Sequence, residues 1–344
     1  MNKLIDEFIS KNRVRKTIYQ KTLFLNWAKQ HIEALGYAVK IEENGSLCSK
    51  NMIVGDPPTS DFILTAHYDT PAMNLFPFFQ TPQSIFYTIL HFLLRYGTIY
   101  MISVVLSIAF FKYIQSDMVL MLIIRYSLFV SAIVFSLTGI ANRNNMNDNN
   151  SGIVTLLNLI QTMPPEYRNR VSFVFFDNNK KGLSGSSGFF LKYGERIYRK
   201  LLINLDCLGI GDYIVVIAPK KYRRSNDFYK MFFGAFGENP KKKLVIPYKL
   251  SLYLSDHIIF PNGISIASFN RNRMFGYCFG RIHTLFDTKL DEENISIVRD
   301  LIINLVCGQS AEKKEIYSIT QINAIIKKPD TGRTVSSLDL MFRE

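Results

Sequence analysis

A chain of 344 residues with 48% hydrophobic and 20% charged residues is too apolar to be disordered and long enough for one large core or two ordinary ones. Its net charge of +13 admits a solvated basic face, an anionic membrane surface or nucleic acid. The basic clusters (Lys220, Lys221, Arg223 and Arg224, then Lys241 to Lys243) are short and carry no zinc finger, RNP-like aromatic motif or basic heptads beside them, so no nucleic-acid partner is expected.

The first thirty residues include Lys3, Asp6, Glu7, Lys11, Arg13, Arg15 and Lys16, among which no apolar signal-peptide core fits. Thr17 to Leu35 has helical apolar spacing and stops at Gly36. Asp61 to Ala66 reads as a buried strand, and similar runs recur at Val171 to Phe176, Leu201 to Leu205, Tyr213 to Ala218 and Ile264 to Phe269. Helical patterns lie between them, notably Gly152 to Thr162 and Glu292 to Val306. Continuous apolar strands alternating with helices predict an α/β fold, a mixed, mostly parallel sheet sandwiched by helices. Four scattered cysteines, Cys48, Cys207, Cys278 and Cys307, form no CxxC and suit a reducing, cytosolic compartment.

Residues Ile85 to Ile140 break this pattern. Tyr96 to Phe111 holds no charge, and the apolar run extends back to Ile85 with only Arg95 interrupting it. After Lys112 to Asp117, a second run spans Met118 to Ile140 with Arg125 its only charge. Each run is long enough to cross a bilayer, whereas a pair of core helices would be shorter and amphipathic. The reading is a membrane hairpin at 84–140, its two arginines snorkelling to an interface. Residues 1–73 and 142–312 are then one discontinuous domain, and 313–344 a polar C-terminal appendage. Both ends of the hairpin join the same domain, and the basic charge places that domain in the cytoplasm. An anionic membrane is the expected partner surface.

In open α/β sheets, functional groups collect where strands end. His67 and Asp69 follow the first strand, Asp177 and Asp206 follow later ones, Asp148 precedes the helix near Ser151, and His283 precedes the last helix. Two histidines and several carboxylates at one sheet edge suit zinc or a similar divalent ion. Asp69, two residues after His67, can hold the imidazole in its ligating tautomer.

The strings AHYDT (Ala66–Thr70), NDNNSG (Asn147–Gly152), FVFFDNNKKGLSGS (Phe173–Ser186), NLDCLG (Asn204–Gly209), SDHIIF (Ser255–Phe260) and IHTLFDT (Ile282–Thr288) together resemble the co-catalytic zinc aminopeptidases, family 28 of the metallopeptidases. The resemblance covers roughly residues 15 to 308 outside the hydrophobic insertion. It implies a zinc-aminopeptidase-like fold, His67, Asp148 and Asp206 as ligands of a first metal, and His283 on a second metal bridged by Asp148. It also implies Asp69 as the carboxylate behind His67 and a cis peptide after Asp148.

The chain departs from the family at two positions. Where the family has the general base and a glutamate ligand of the second metal, this sequence has Asn179 and Lys180. An amide cannot accept and return a proton as a carboxylate does. An ammonium about 4 Å from a divalent ion is repelled by about 8 kcal/mol at an effective dielectric of 20. The expectation is a membrane-associated, catalytically impaired aminopeptidase-like protein with one zinc, its Lys180 ammonium in the second metal's place, binding a peptide or membrane-bound peptide. Two alternatives stay open: an active single-metal membrane aminopeptidase using an unconventional base such as Asp177, and a non-enzymatic docking or partner-binding protein.

Overall fold

Local chemistry sets the first helical boundary. In the computed structural model, which describes residues 3–43, 48–74, 78–114, 117–249 and 252–308, helix α1 (Lys3–Asn12) is followed by α2 (Ile18–Ala34). Thr17 caps α2 reciprocally with Gln20: the Gln20 backbone N–H donates to Thr17 Oγ1 at 3.2 Å, and Thr17 N donates to Gln20 Oε1 at 3.1 Å. Such a capping box satisfies two donors that the first helical turn would otherwise leave open. Gly36, at φ +87°, ends the helix as its position predicted. The C-terminal segment assigned to 313–344 lies outside the described residues.

A hairpin of β1 (Val39–Glu43) and β2 (Lys50–Val54) leads to β3 (Phe62–His67) and the short β4 (Phe78–Gln80). Helices α3 (Ile85–Ile114) and α4 (Met118–Thr138) follow, then α5 (Ser151–Thr162), β5 (Val171–Phe176), α6 (Ser184–Ile197), β6 (Leu201–Leu205) and β7 (Tyr213–Ile217). The chain continues through α7 (Lys220–Arg223), α8 (Asn226–Phe236), β8 (Lys243–Val245), β9 (Gly263–Asn272), β10 (Gly276–Ile282) and α9 (Glu292–Cys307).

The strands form one mixed sheet in the order β1-β2-β5-β3-β6-β9-β10-β4, with β7 also on β9 and β8 on β7. Its centre, β5-β3-β6-β9, is parallel, and antiparallel strands flank it. The central strands are buried on both faces, which is why they read as unbroken apolar runs. Alternate residues separate into two layers. Leu64, Ala66, Phe173, Phe175, Ile203 and Leu205 join the larger core with α2, α5, α8 and α9. Ile63, Val174, Phe176 and Leu202 pack against Phe189 of α6 and against Phe260. Each fully buried Phe or Leu contributes about 1.5–3 kcal/mol of transfer free energy.

The two long apolar helices lie against each other and expose most of their side chains. No residue of α4 is buried, and Val119, Ile123, Val130, Val134 and Phe135 are all exposed. Both helices are long and apolar enough to cross a membrane. Their arginines do not snorkel outward as expected: Arg125 Nε donates to Ser107 Oγ of α3 at 3.3 Å, and Arg95 is buried. Facing a hydroxyl across the pair gives the Arg125 guanidinium a partner within the protein, which satisfies it without reaching for an interface.

A short backbone bridge ties the base of the hairpin to the domain. Ala72 and Ala141 form an antiparallel bridge, Met73 N donates to the Ile140 carbonyl at 2.7 Å, and Asn142 N to the Pro71 carbonyl at 3.0 Å. Beyond this bridge, β4 pairs with β10, the strand that His283 directly follows, and Asn74 N donates to the His283 carbonyl at 2.7 Å.

Candidate metal centre

His67 closes β3, the central strand, with the parity of Ile63 and Thr65. The Asp148 loop meets it from the N-terminal end of α5, where Asp148 and Asn149 have non-helical backbone angles. The Asp148–Asn149 peptide is cis, in line with the family resemblance. Asp206 follows β6, the neighbour of β3. One ligand atom from each of His67, Asp148 and Asp206 lies within 4.8 Å of the others, and all three residues are buried. His67 Nε2 is 3.1 Å from Asp148 Oδ1 and 3.8 Å from Asp206 Oδ1. Tetrahedral zinc ligands at 2.0–2.2 Å stand about 3.4 Å apart, so the set needs only side-chain adjustment to hold one small divalent ion.

The other oxygen of Asp148 has a different environment. Asp148 Oδ2 contacts His283 Nε2 at 2.5 Å and Lys180 Nζ at 3.1 Å. The Lys180 ammonium therefore stands beside the two side chains that the resemblance assigns to a second metal, and this half of the site does not fit an ion. Burial opposes charge on both partners. Even so, Lys180 and His283 hold the Asp148 carboxyl well below the usual carboxylate range, and Asp148 and Asp206 raise Lys180 above that of an ordinary lysine. Burial and Lys180 likewise oppose a proton on His67, but the hydrogen bond to Asp148 and the nearby Asp69 carboxylate lift it to about 10. Burial pulls His283 down.

Asp69 departs in part from its expected role. Its Oδ1 is 3.3 Å from His67 Nδ1 but poorly aligned for a hydrogen bond, leaving Nδ1 without a proper partner. The well-formed contacts come from the backbone N–H of Asn179 at 2.9 Å and of Lys180 at 3.3 Å. Asp69 thus anchors the loop that carries the two substituted positions. Gly185 fixes the other end of that loop, because a Cβ there would sit 2.3 Å from the Asp177 carbonyl oxygen.

Asp177 is not placed as a proton acceptor. Lys21 Nζ donates to its Oδ1 at 2.5 Å, Asn178 N to the same oxygen at 2.8 Å, and Lys50 N to Oδ2 at 3.2 Å. Those contacts make it a structural anchor for α2 and β2.

Three supporting side chains escaped the sequence reading although they lie in its motifs. Asp287 accepts from the backbone N–H groups of Asn147 at 2.8 Å and Asp148 at 3.2 Å, and burial lifts its carboxyl to about 7. Ser255 Oγ donates to Asp206 Oδ2 at 2.6 Å. Asp256 Oδ2 accepts from Asn179 Nδ2 at 2.8 Å, while its buried Oδ1 has no hydrogen-bond partner among the described residues. An acidic residue beside a motif histidine was the available signal for Asp256, and the last acid of IHTLFDT for Asp287.

Burial lifts Asp256 to about 6 from an ordinary 3.8. Its folded form holds the proton more tightly than the unfolded chain. The resulting stability is complete below about pH 4 and lost as pH rises through about 6, on the order of 3 kcal/mol in all. Asp256→Asn should remove this slope from the thermal-unfolding profile of the detergent-solubilised protein. A variant with the natural protein's slope would show that Asp256 does not titrate in this way.

A mixed sheet with its centre parallel, helices on both faces, and histidines and carboxylates at one edge defines a zinc-exopeptidase-like fold. Residues 136–306 match the model for peptidase family M28. The match begins within α4 and leaves out the strand bearing His67. Among solved structures, the Porphyromonas gingivalis glutaminyl cyclase is 14% identical, with a TM-score of 0.55 over 89% of this chain and 96% of that one. A Zn-dependent exopeptidase from Parabacteroides distasonis ATCC 8503 gives the same identity, TM-score and coverage. The Legionella pneumophila LapA aminopeptidase is 12% identical, with a TM-score of 0.53 over 90% of this chain and 69% of that one. At these identities the likeness is one of fold. None of the curated proteins matches the chain.

Proposed function

We propose that this protein is a membrane-anchored member of the M28 fold that holds one zinc at His67, Asp148 and Asp206 and does not cleave peptides. The observation that carries the reading is the 3.1 Å contact between Lys180 Nζ and Asp148 Oδ2, on the oxygen that His283 also touches. A tethered ammonium there supplies the neutralising charge that a second ion would bring, without an ion's Lewis acidity. A divalent ion at the remaining position can polarise a carbonyl and acidify a bound water. Asn179 cannot take up that water's proton, and its amide is engaged with Asp256. The site then recognises rather than hydrolyses, and a peptide is the ligand its fold suits. The bridge at Ala72 and Ala141 sets the hairpin beside His283, which favours peptides presented at an anionic membrane surface. With the basic domain on the cytoplasmic side, nucleic acid has no part in this reading.

An active single-metal aminopeptidase is the second reading. The unpartnered Oδ1 of Asp256 favours it, with this carboxylate and not Asp177 as the proton acceptor. Zinc analysis of the purified full chain, together with a panel of aminoacyl anilides, separates the two. One zinc per chain and no turnover is the expected result, and a chain that binds none would refute the metal site. Two zincs with ordinary turnover would overturn the proposal, and one zinc with turnover abolished by Asp256→Asn would establish the second reading.

A further inference from the structure

A cavity of about 430 Å³ lies outside the metal centre, at the foot of α4; its lining includes Ser10, Lys11, Arg13, Gln20, Ile140 and Arg143. One wall comes from the end of α1, the link to α2 and the first turn of α2. The other comes from the segment by which the chain leaves α4 for the domain. We propose that this cavity binds the phosphate of an anionic phospholipid whose acyl chains lie along α4. The inference rests on the reading that the hairpin enters a bilayer, since that places the foot of α4 at headgroup level.

Three cations and no carboxylate line the cavity. Lys11 shares its charge with Glu7 at 3.1 Å, but Arg13 and Arg143 have no carboxylate partner among the described residues. Two guanidiniums from opposite walls can each grip phosphate oxygens in a two-pronged contact, which a lysine cannot do. Gln20 adds a donor: its Oε1 is occupied by the backbone N–H groups of Lys16 and Thr17, so its amide nitrogen is the end left for a ligand. An apolar lip continues the cavity, with Ile140 62% and Leu137 48% exposed. Lys16 Nζ docks on the Leu137 carbonyl at 3.1 Å and fixes that lip to the basic segment. A cationic cavity continuous with an exposed apolar helix is complementary to one molecule with an anionic head and hydrocarbon tails. Free phosphate would satisfy only the first half.

The test uses the full chain reconstituted into nanodiscs of phosphatidylcholine, alone or doped with phosphatidic acid, with retained lipid read by native mass spectrometry. One phosphatidic acid per chain is expected, preferred over phosphatidylcholine by on the order of tenfold, as two surface cations provide. An Arg13→Gln, Arg143→Gln variant should lose that preference, while Lys241→Gln, Lys243→Gln, an equal change of charge elsewhere, should keep it. Should the first variant fail to fold, thermal stabilisation of the natural chain by phosphatidic acid over phosphatidylcholine gives the same answer. Equal retention of both lipids, equal loss in the two variants, or displacement by inorganic phosphate would overturn the proposal. A chain that does not enter nanodiscs removes the bilayer reading and the lipid site with it. A chain that enters but shows no preference removes the lipid site alone.

Discussion

An Asn179→Glu, Lys180→Glu double variant is expected to bind a second zinc and to hydrolyse aminoacyl anilides that the natural protein leaves intact. The charge at position 180 changes from +1 to −1 at a point where Lys180 Nζ now lies 3.1 Å from Asp148 Oδ2. Removing the ammonium frees that oxygen and His283 for an ion, and the new carboxylate completes its ligands. Position 179 supplies the proton acceptor, a contribution of about 10²–10⁴-fold in rate. Its neighbour bears on the change: Asp256 Oδ2 now accepts from Asn179 Nδ2 at 2.8 Å. A glutamate at 179 would set a second carboxylate beside a group that burial already lifts to about 6, so repulsion between the two should raise the pair further and favour a shared proton. The single variants divide the effect. Lys180→Glu alone should recruit the second ion with little turnover, and Asn179→Glu alone should do neither. A double variant with one zinc and no activity would show that something other than this loop silences the site.

Replacing Arg15 by methionine should cost about 3–5 kcal/mol, a large share of the 5–15 kcal/mol that keeps a protein folded. Arg15 is fully buried between Phe8 and Phe24, with its guanidinium 5.1 and 5.3 Å from their ring centres. It donates to the carbonyls of Tyr68 at 2.6 Å and Asn12 at 2.5 Å, and to Asn150 Oδ1 at 2.7 Å. Burial lowers it to about 9, so it stays charged at neutral pH. Methionine fills much of the volume but leaves three buried acceptors without donors. Because two of those acceptors, on Tyr68 and Asn150, lie on the segments carrying Asp69 and Asp148, zinc affinity should fall together with a Tm drop on the order of 5–10 °C. Arg15→Lys should recover part of both. A methionine variant that melts with the natural protein and keeps its zinc would refute this account.

The central strands were legible because burial on both faces forces unbroken apolar runs, and the candidate triad because each of its members lies within a recognisable string. The contact of Lys180 with Asp148 was legible too, since a cation substituted for a ligand has the same carboxylate within reach. Asp177 was misjudged as a possible base: the lysine that occupies it lies on α2, 156 residues away in sequence, and no local pattern announces that pairing. Arg15 was hidden for a related reason. It stands in a run with Arg13 and Lys16 that looks like a solvated basic segment, and only the closing of α1 and α2 over it makes it a core residue. Strand β4 has three residues and exists because β10 offers it an edge, a condition invisible in either segment alone. The hairpin arginines were read as exposed because a single helix has no inside, whereas two helices together provide one for Arg125 and Ser107.

The position of the hairpin imposes an order on synthesis. Strand β3 leaves the ribosome before the hairpin, but both of its sheet neighbours, β5 and β6, come after it. About a hundred residues separate His67 from Val171, on the order of 5–20 s of translation. Through that interval the strand that will become the middle of the sheet has two open edges and a mostly apolar surface, the condition under which nascent segments aggregate. The triad cannot assemble until β6 has emerged with Asp206, so on the function proposed above metal capture would follow both insertion of the hairpin and most of translation. A nascent chain stalled just after the hairpin should therefore be a chaperone client and bind no zinc at this site.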